Sequence, residues 1–219
     1  MPLDNLSRDP EQEHFADGIT DALITDLAQI SSLRVISRTS VMPYKGVKKP
    51  LPDIARELDV DAVVEGAVQR VGNRVRITAQ LIHAPTDRHL WANSYERDLR
   101  DLLALQSEVT RAIAGEIQVR VTPAEKARLT ERRRVDPDAY EAYLRGKFAF
   151  RLHDRTGDRT EPAIQWFERA VSLDPGFALA HAALARAYVF KFFSYDPHPQ
   201  WEQRAFIRRQ ASSAGTMRT

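Results

Sequence analysis

The strongest constraint on how this chain folds is the spacing in Ala163-Ile-Gln-Trp-Phe167-Glu-Arg-Ala170-Val-Ser-Leu-Asp-Pro175. Two alanines flank an aromatic residue at four- and three-residue separation, and a proline follows after a further turn. The alanines let a neighbouring helix approach closely, Phe167 fills the space between them, and Pro175 stops the helix. Phe177-Ala-Leu-Ala-His-Ala-Ala-Leu184-Ala185-Arg-Ala-Tyr188 then reads as the next helix. Single helix pairs rarely bury their apolar faces alone, so they stack, and stacked pairs form binding grooves. The pattern therefore points to a chain that holds a partner.

A chain of 219 residues has room for one large or two small domains with a core. It contains no cysteine, which excludes disulfides and thiolate metal sites. No apolar run approaches the roughly 20 residues that span a bilayer. Met1-Pro-Leu-Asp-Asn-Leu-Ser lacks the basic and apolar regions of a signal peptide. The chain as written is thus expected in the cytoplasm. Carried by a longer membrane-anchored protein, the same region belongs in the periplasm. The net charge of +2 is uneven: 12 Lys and Arg face 15 Asp and Glu up to Asp98, and 20 face 15 beyond it. Arg132-Arg133-Arg134 and Arg204, Arg208 and Arg209 read as a linker and solvated helix faces. Without aromatic interleaving or a recognised motif they imply no nucleic-acid partner.

Along the chain, Glu13 to Ile30 reads as an amphipathic helix with Phe15, Ile19, Leu23, Leu27 and Ile30 on one stripe and Asp17, Asp21 and Asp26 on the surface. Leu33–Ser37 reads as a short buried strand, and Asp53–Leu58 as a short helix. Asp61–Val71 and Arg74–His83 are two strands joined by the tight Gly72-Asn73 turn. Val75, Ile77, Ala79 and Leu81 alternate with polar residues, so one face meets a core and the other water or a partner. His89–Glu96 reads as a third antiparallel strand with Trp91 and Tyr95 on one face, and Asp98–Val121 as a long helix. The expected fold class is α/β: a layered α/β domain with a mixed sheet over residues 1–121, a helical and charged linker over 122–137, an incomplete all-α repeat segment over 138–210, and a disordered tail over 211–219.

Two resemblances follow from these phrases. The Ala163–Pro175 spacing and the helix after it resemble tetratricopeptide (TPR) repeats. Asp4–Leu23, Leu33–Ser40, Ala55–Gly66 and Arg74–Ile82, with Leu90-Trp91 and Tyr95, resemble TolB-N-terminal-like domains of large bacterial signalling proteins. The resemblance implies an α/β domain ahead of TPR helices, preceded in such proteins by a winged-helix, nucleotide cyclase or kinase domain. Family members begin with an apolar strand of the form Ile-Ala-Val-Leu-Pro-Phe. Here only Met1-Pro2-Leu3 stands in its place, so an unpaired sheet edge beside Leu33–Ser37 is expected, and with it a fragment or a shifted start.

The search for chemistry is mostly negative. There is no glycine-rich phosphate loop, and the six histidines show no ligand spacing. Asp17 and Asp21 share a helix face, which reads as a solvated acidic turn ahead of a cation site. Ser37, Arg38, Thr39 and Ser40 offer three hydroxyls and a guanidinium beyond a strand end, suited to a phosphate or carboxylate, or else to their own backbone. In the helical part Tyr140, Tyr143, Trp166 and Tyr188 are the candidates for gripping a protein or peptide partner, and self-association is open. No metal or cofactor is expected. The leading reading is a regulatory or scaffolding module without enzymatic activity, acting through protein contacts in a bacterial signalling or envelope system. The alternative is the sensory region of a larger adenylate or guanylate cyclase or winged-helix regulator.

Overall fold

Alternation and helical periodicity translate directly into most elements of a computed structural model that describes residues 1–7, 9, 12–117, 121–130, 135–156 and 160–216. The chain forms two units, Met1–Arg134 and Val135–Thr219.

The first unit is a mixed α/β layer. Its sheet has the order β1-β2-β3-β4, with β1 (Asp4–Asn5), β2 (Ala62–Val71), β3 (Arg74–His83) and β4 (Arg88–Asp98). β1 runs parallel to β2, and the other two pairings are antiparallel. Gly72 takes φ 56° in the β2–β3 turn, a backbone region that glycine enters without penalty. Gly66 is required for a different reason: a Cβ there would lie 2.0 Å from the Thr78 carbonyl oxygen. Val75, Ile77, Ala79 and Leu81 are fully buried beneath α1 (Glu13–Leu27) and α4 (Leu102–Glu116), which pack on each other. The opposite face carries Arg74, Arg76 and Thr78 and, among the described residues, is covered at one end. There Val63 and Ile82 pack with Leu51 and Ala55 of α3 (Leu51–Leu58). A four-residue helix, α2 (Arg38–Val41), precedes α3, and α5 (Pro123–Thr130) follows α4. Thr122 and Glu125 form a reciprocal capping box at the start of α5: Thr122 N donates to the carboxylate at 2.7 Å, and Glu125 N donates to the Thr122 hydroxyl at 3.3 Å.

Three expectations are corrected. Leu33–Ser37 is not a strand, because β1 is only two residues long and gives it no neighbour to pair with. Asp17 and Asp26 are buried rather than on the surface of α1. The helix expected over Asp98–Val121 starts at Leu102, after a 3-10 turn at Leu99–Asp101 that the Asp98 carboxylate caps.

The second unit contains α6 (Pro137–Thr156), α7 (Thr160–Leu173), α8 (Ala178–Ser194) and α9 (Pro199–Thr216), each packed on the next. Ala163 and Ala170 are fully buried and Phe167 fits between them, as the spacing requires. Phe167 lies against Gly146 of α6, where a Cβ would meet its ring at 2.6 Å. Asp136 starts α6 by accepting from the backbone N–H groups of Asp138 and Ala139. In the tail expected to be disordered over 211–219, α9 continues to Thr216, and residues 217–219 lie outside the described residues. Arg132–Arg134 lie outside the described residues.

Candidate functional site

Ser37 sits in extended conformation (φ −64°, ψ 151°), and its hydroxyl accepts from the backbone N–H of Ser40, capping α2. The Ser37 and Ser40 hydroxyls are 3.1 Å apart. The Ser40 backbone N–H at this helix start is thus met locally by the Ser37 hydroxyl.

Arg38 turns away from the loop toward α1. Its Nη2 donates to Asp17 Oδ2 at 2.8 Å, and Lys45 donates to Asp17 Oδ1 at 2.5 Å and to Glu13. Burial disfavours the charge on Lys45, but the hydrogen bonds it donates to Asp17 and Glu13 outweigh that, so its pKa lies above the ordinary lysine value. Asp17 is 7% exposed. What the sequence offered as an acidic face is therefore a closed ion network fastening the 38–45 segment to α1. The Nε of Arg38 is buried with no hydrogen-bond partner among the described residues. Thr39 remains exposed. The structure thus brings Ser37, Arg38 and Ser40 together but commits their polar groups chiefly to α2 and Asp17.

Glu125 was not singled out in the sequence. Its carboxylate accepts from the Ser31 backbone N–H at 2.9 Å and from Thr122. These bonds, the Ser31 one foremost, hold its pKa down at about 2. The Thr-x-x-Glu pattern signalled the cap, but nothing local signalled the link to Ser31, 94 residues away.

Beside β2 lies a cavity of about 450 Å³, lined by Leu3, Leu23, Leu27, Val35, Val63 and Ile113 among others. Leu33, Arg34, Val35 and Ile36, from the segment expected as a strand, form part of its wall. Its walls are apolar, with Thr20 and Arg34 among the few polar side chains. Thr20 is engaged: its hydroxyl accepts from Leu3 N and donates to Ala16 O. Arg34 bonds Asp59 at 3.0 Å.

In the helical unit, Tyr140 and Tyr188 are each 1% exposed, which corrects their reading as partner-facing residues: they build the core. Tyr140 stacks on Phe177 with centroids 6.0 Å apart. The Tyr188 hydroxyl donates to Glu168 at 2.6 Å, and burial together with that bond pushes its pKa up. Tyr143 is half-buried between Phe167 and Phe177. Trp166 is half-buried, with Arg145 and Arg169 beside its ring at 5.3 and 6.0 Å. These two retain surface that a partner can reach.

Among the described residues no group of three or more His, Asp or Glu side chains is placed to hold a metal ion, and no helix is long and apolar enough to cross a membrane. No protein-family model matches the chain. It is 44% identical over 185 residues to a protein of Rhizobium meliloti (strain 1021) named "Putative adenylate cyclase 3". The match takes in 84% of this chain and 31% of that protein, so the chain spans about a third of its relative's length. This relative overturns the expectation of no enzymatic activity, because the name it carries is that of an enzyme.

Proposed function

We propose that this chain is the regulatory region of a larger adenylate cyclase, a protein that converts ATP to cyclic AMP and pyrophosphate. The observation that carries the reading is 44% identity over 185 residues to a protein bearing that name. Within that protein the first unit acts as a TolB-N-terminal-like α/β domain and the second as TPR-like helices that contact a protein partner. The supporting geometry is the buried Ala163–Phe167–Ala170 seam closed on Gly146, and the exposed flanks of Tyr143 and Trp166.

A domain exchange tests this. The matching third of the Rhizobium meliloti protein is replaced by this chain, and separately by an unrelated domain of similar size. Cyclic AMP is then measured in a host lacking its own cyclase. The reading expects the native protein and the exchange with this chain to make cyclic AMP under the same control, and the unrelated exchange to lose that control. No cyclic AMP from the native protein would remove the cyclase assignment. Equal output from all three would remove the regulatory role.

A further inference from the structure

β4 is an edge strand: among the described residues it pairs over its eleven residues with β3 alone, and of its backbone groups Ser94 N donates to the Asn93 side chain at 2.8 Å, a bond that a pairing strand would replace. Edges of this length are normally blunted by lysine, proline or charges directed along the edge. β4 contains neither lysine nor proline. Its charges near Asp98 are engaged inside the subunit: Glu96 binds Arg74 and Arg76 at 2.7 Å each, Arg97 binds Glu108 at 2.9 Å, and Asp98 accepts from Asn73 at 2.7 Å. Between them and a bulge at Leu90 lies an uncharged run, Trp91-Ala-Asn-Ser-Tyr95. Ala92, Asn93 and Ser94 are exposed.

We propose that this edge is the docking surface for a second copy of the same chain, joined through antiparallel β4–β4 pairing with the twofold axis at Asn93. The sequence of the strand is self-complementary about that residue. Trp91 of one copy falls opposite Tyr95 of the other, twice, on the same face of the sheet. Within one copy these rings are already 6.3 Å apart, so pairing joins four rings into one cluster. Ala92 meets Ser94, and Asn93 meets Asn93. In this register Arg88 of one copy falls opposite Asp98 of the other, an acid–base pair at each end, while His89 falls opposite Arg97, whose guanidinium is held by Glu108 of its own subunit. Moving the axis one residue either way sets Trp91 opposite Asn93 or Arg97 and loses the aromatic pairs. The interface is isologous, so it closes at two copies. It does not depend on the cyclase reading.

The test is sedimentation equilibrium of the full chain up to about 100 µM, a range suited to a small interface. Asn93→Lys places like charges directly opposite each other at the axis, and Asn93→Asp does the same with the other sign. The expected result is a dimer for the native chain, association weakened about tenfold or more in each variant alone, and recovery when the two variants are mixed. Thermal midpoints show that both variants remain folded, since Asn93 is exposed. A native chain that stays monomeric overturns the proposal. So does a dimer that neither substitution weakens, or one that mixing does not restore.

Discussion

Gly66→Ala puts the β2–β3 packing to a direct test. An added Cβ would sit 2.0 Å from the Thr78 carbonyl oxygen, 3.1 Å from Ala79 Cα and 3.1 Å from Leu3 Cδ2. The first two atoms belong to the backbone of a central strand and cannot rotate aside. The strands must part at the Gly66–Ala79 pair, which weakens the two ladder hydrogen bonds flanking it by about 1 kcal/mol each. Displacing the buried Leu3 side chain adds about 1 kcal/mol. Alanine returns about 0.5–1 kcal/mol because it loses less backbone freedom than glycine. The net is a loss of about 2 kcal/mol, or about 8 °C in Tm at about 4 °C per kcal/mol for a unit of this size. Trp91 lies in the first unit and Trp166 and Trp201 in the second, so a Trp166→Phe, Trp201→Phe background makes fluorescence report the first unit alone. Gly115→Ala in α4 is the control: nothing lies within 4 Å of its added Cβ, so helix propensity makes it neutral to about 1 kcal/mol stabilising. If Gly66→Ala unfolds at or above the native midpoint while Gly115→Ala behaves as stated, the close approach of β2 and β3 is not what the structure says it is.

Three further outcomes are expected. Asp17→Asn leaves Arg38 facing a neutral amide and Lys45 with Glu13 alone, and costs about 2 kcal/mol, below the fully buried range because both cations keep some water contact. Because the Lys45 pKa is raised, its share of that stability is complete at neutral pH and fades only as pH climbs past 10.5, which urea titrations of both proteins would follow. The depressed Glu125 carboxyl contributes stability that is present above pH 4.5 and lost as pH falls toward about 2. The gap in unfolding midpoint between the native chain and Glu125→Gln should therefore close over that window, and a constant gap would count against the Ser31 link. Phe167→Ala empties the α6–α7 seam and should cost about 3–5 kcal/mol, read from Trp166 and Trp201 fluorescence.

Strong local periodicity carried most of the architecture. Phe15, Ile19, Leu23 and Leu27 of α1 are buried as their spacing requires, as is Ile30 in the turn after the helix ends at Leu27, and Gly72 turns the hairpin between two alternating strands. Local pattern failed where an element depends on a neighbour. Leu33–Ser37 has the composition of a strand, but composition supplies no hydrogen-bonding partner. Among the candidate site residues, the hydroxyls of Ser37 and Ser40 were legible as a polar group beyond an apolar segment. That the Ser37 hydroxyl caps α2 was not, because it requires the backbone to turn helical at Arg38.

The sequence by itself determined which residues are apolar, at what period they recur, and where glycine and proline interrupt them. Those quantities are local, and they are enough to select helices, strands and a small–aromatic–small seam. Only the tertiary structure decided that Asp17 is a buried counter-ion for two cations, that Glu125 reaches back to Ser31, and that Tyr140 and Tyr188 are core while Tyr143 and Trp166 keep accessible flanks. Charge pairing and burial depend on distances between residues far apart in the chain, and no local pattern encodes those distances.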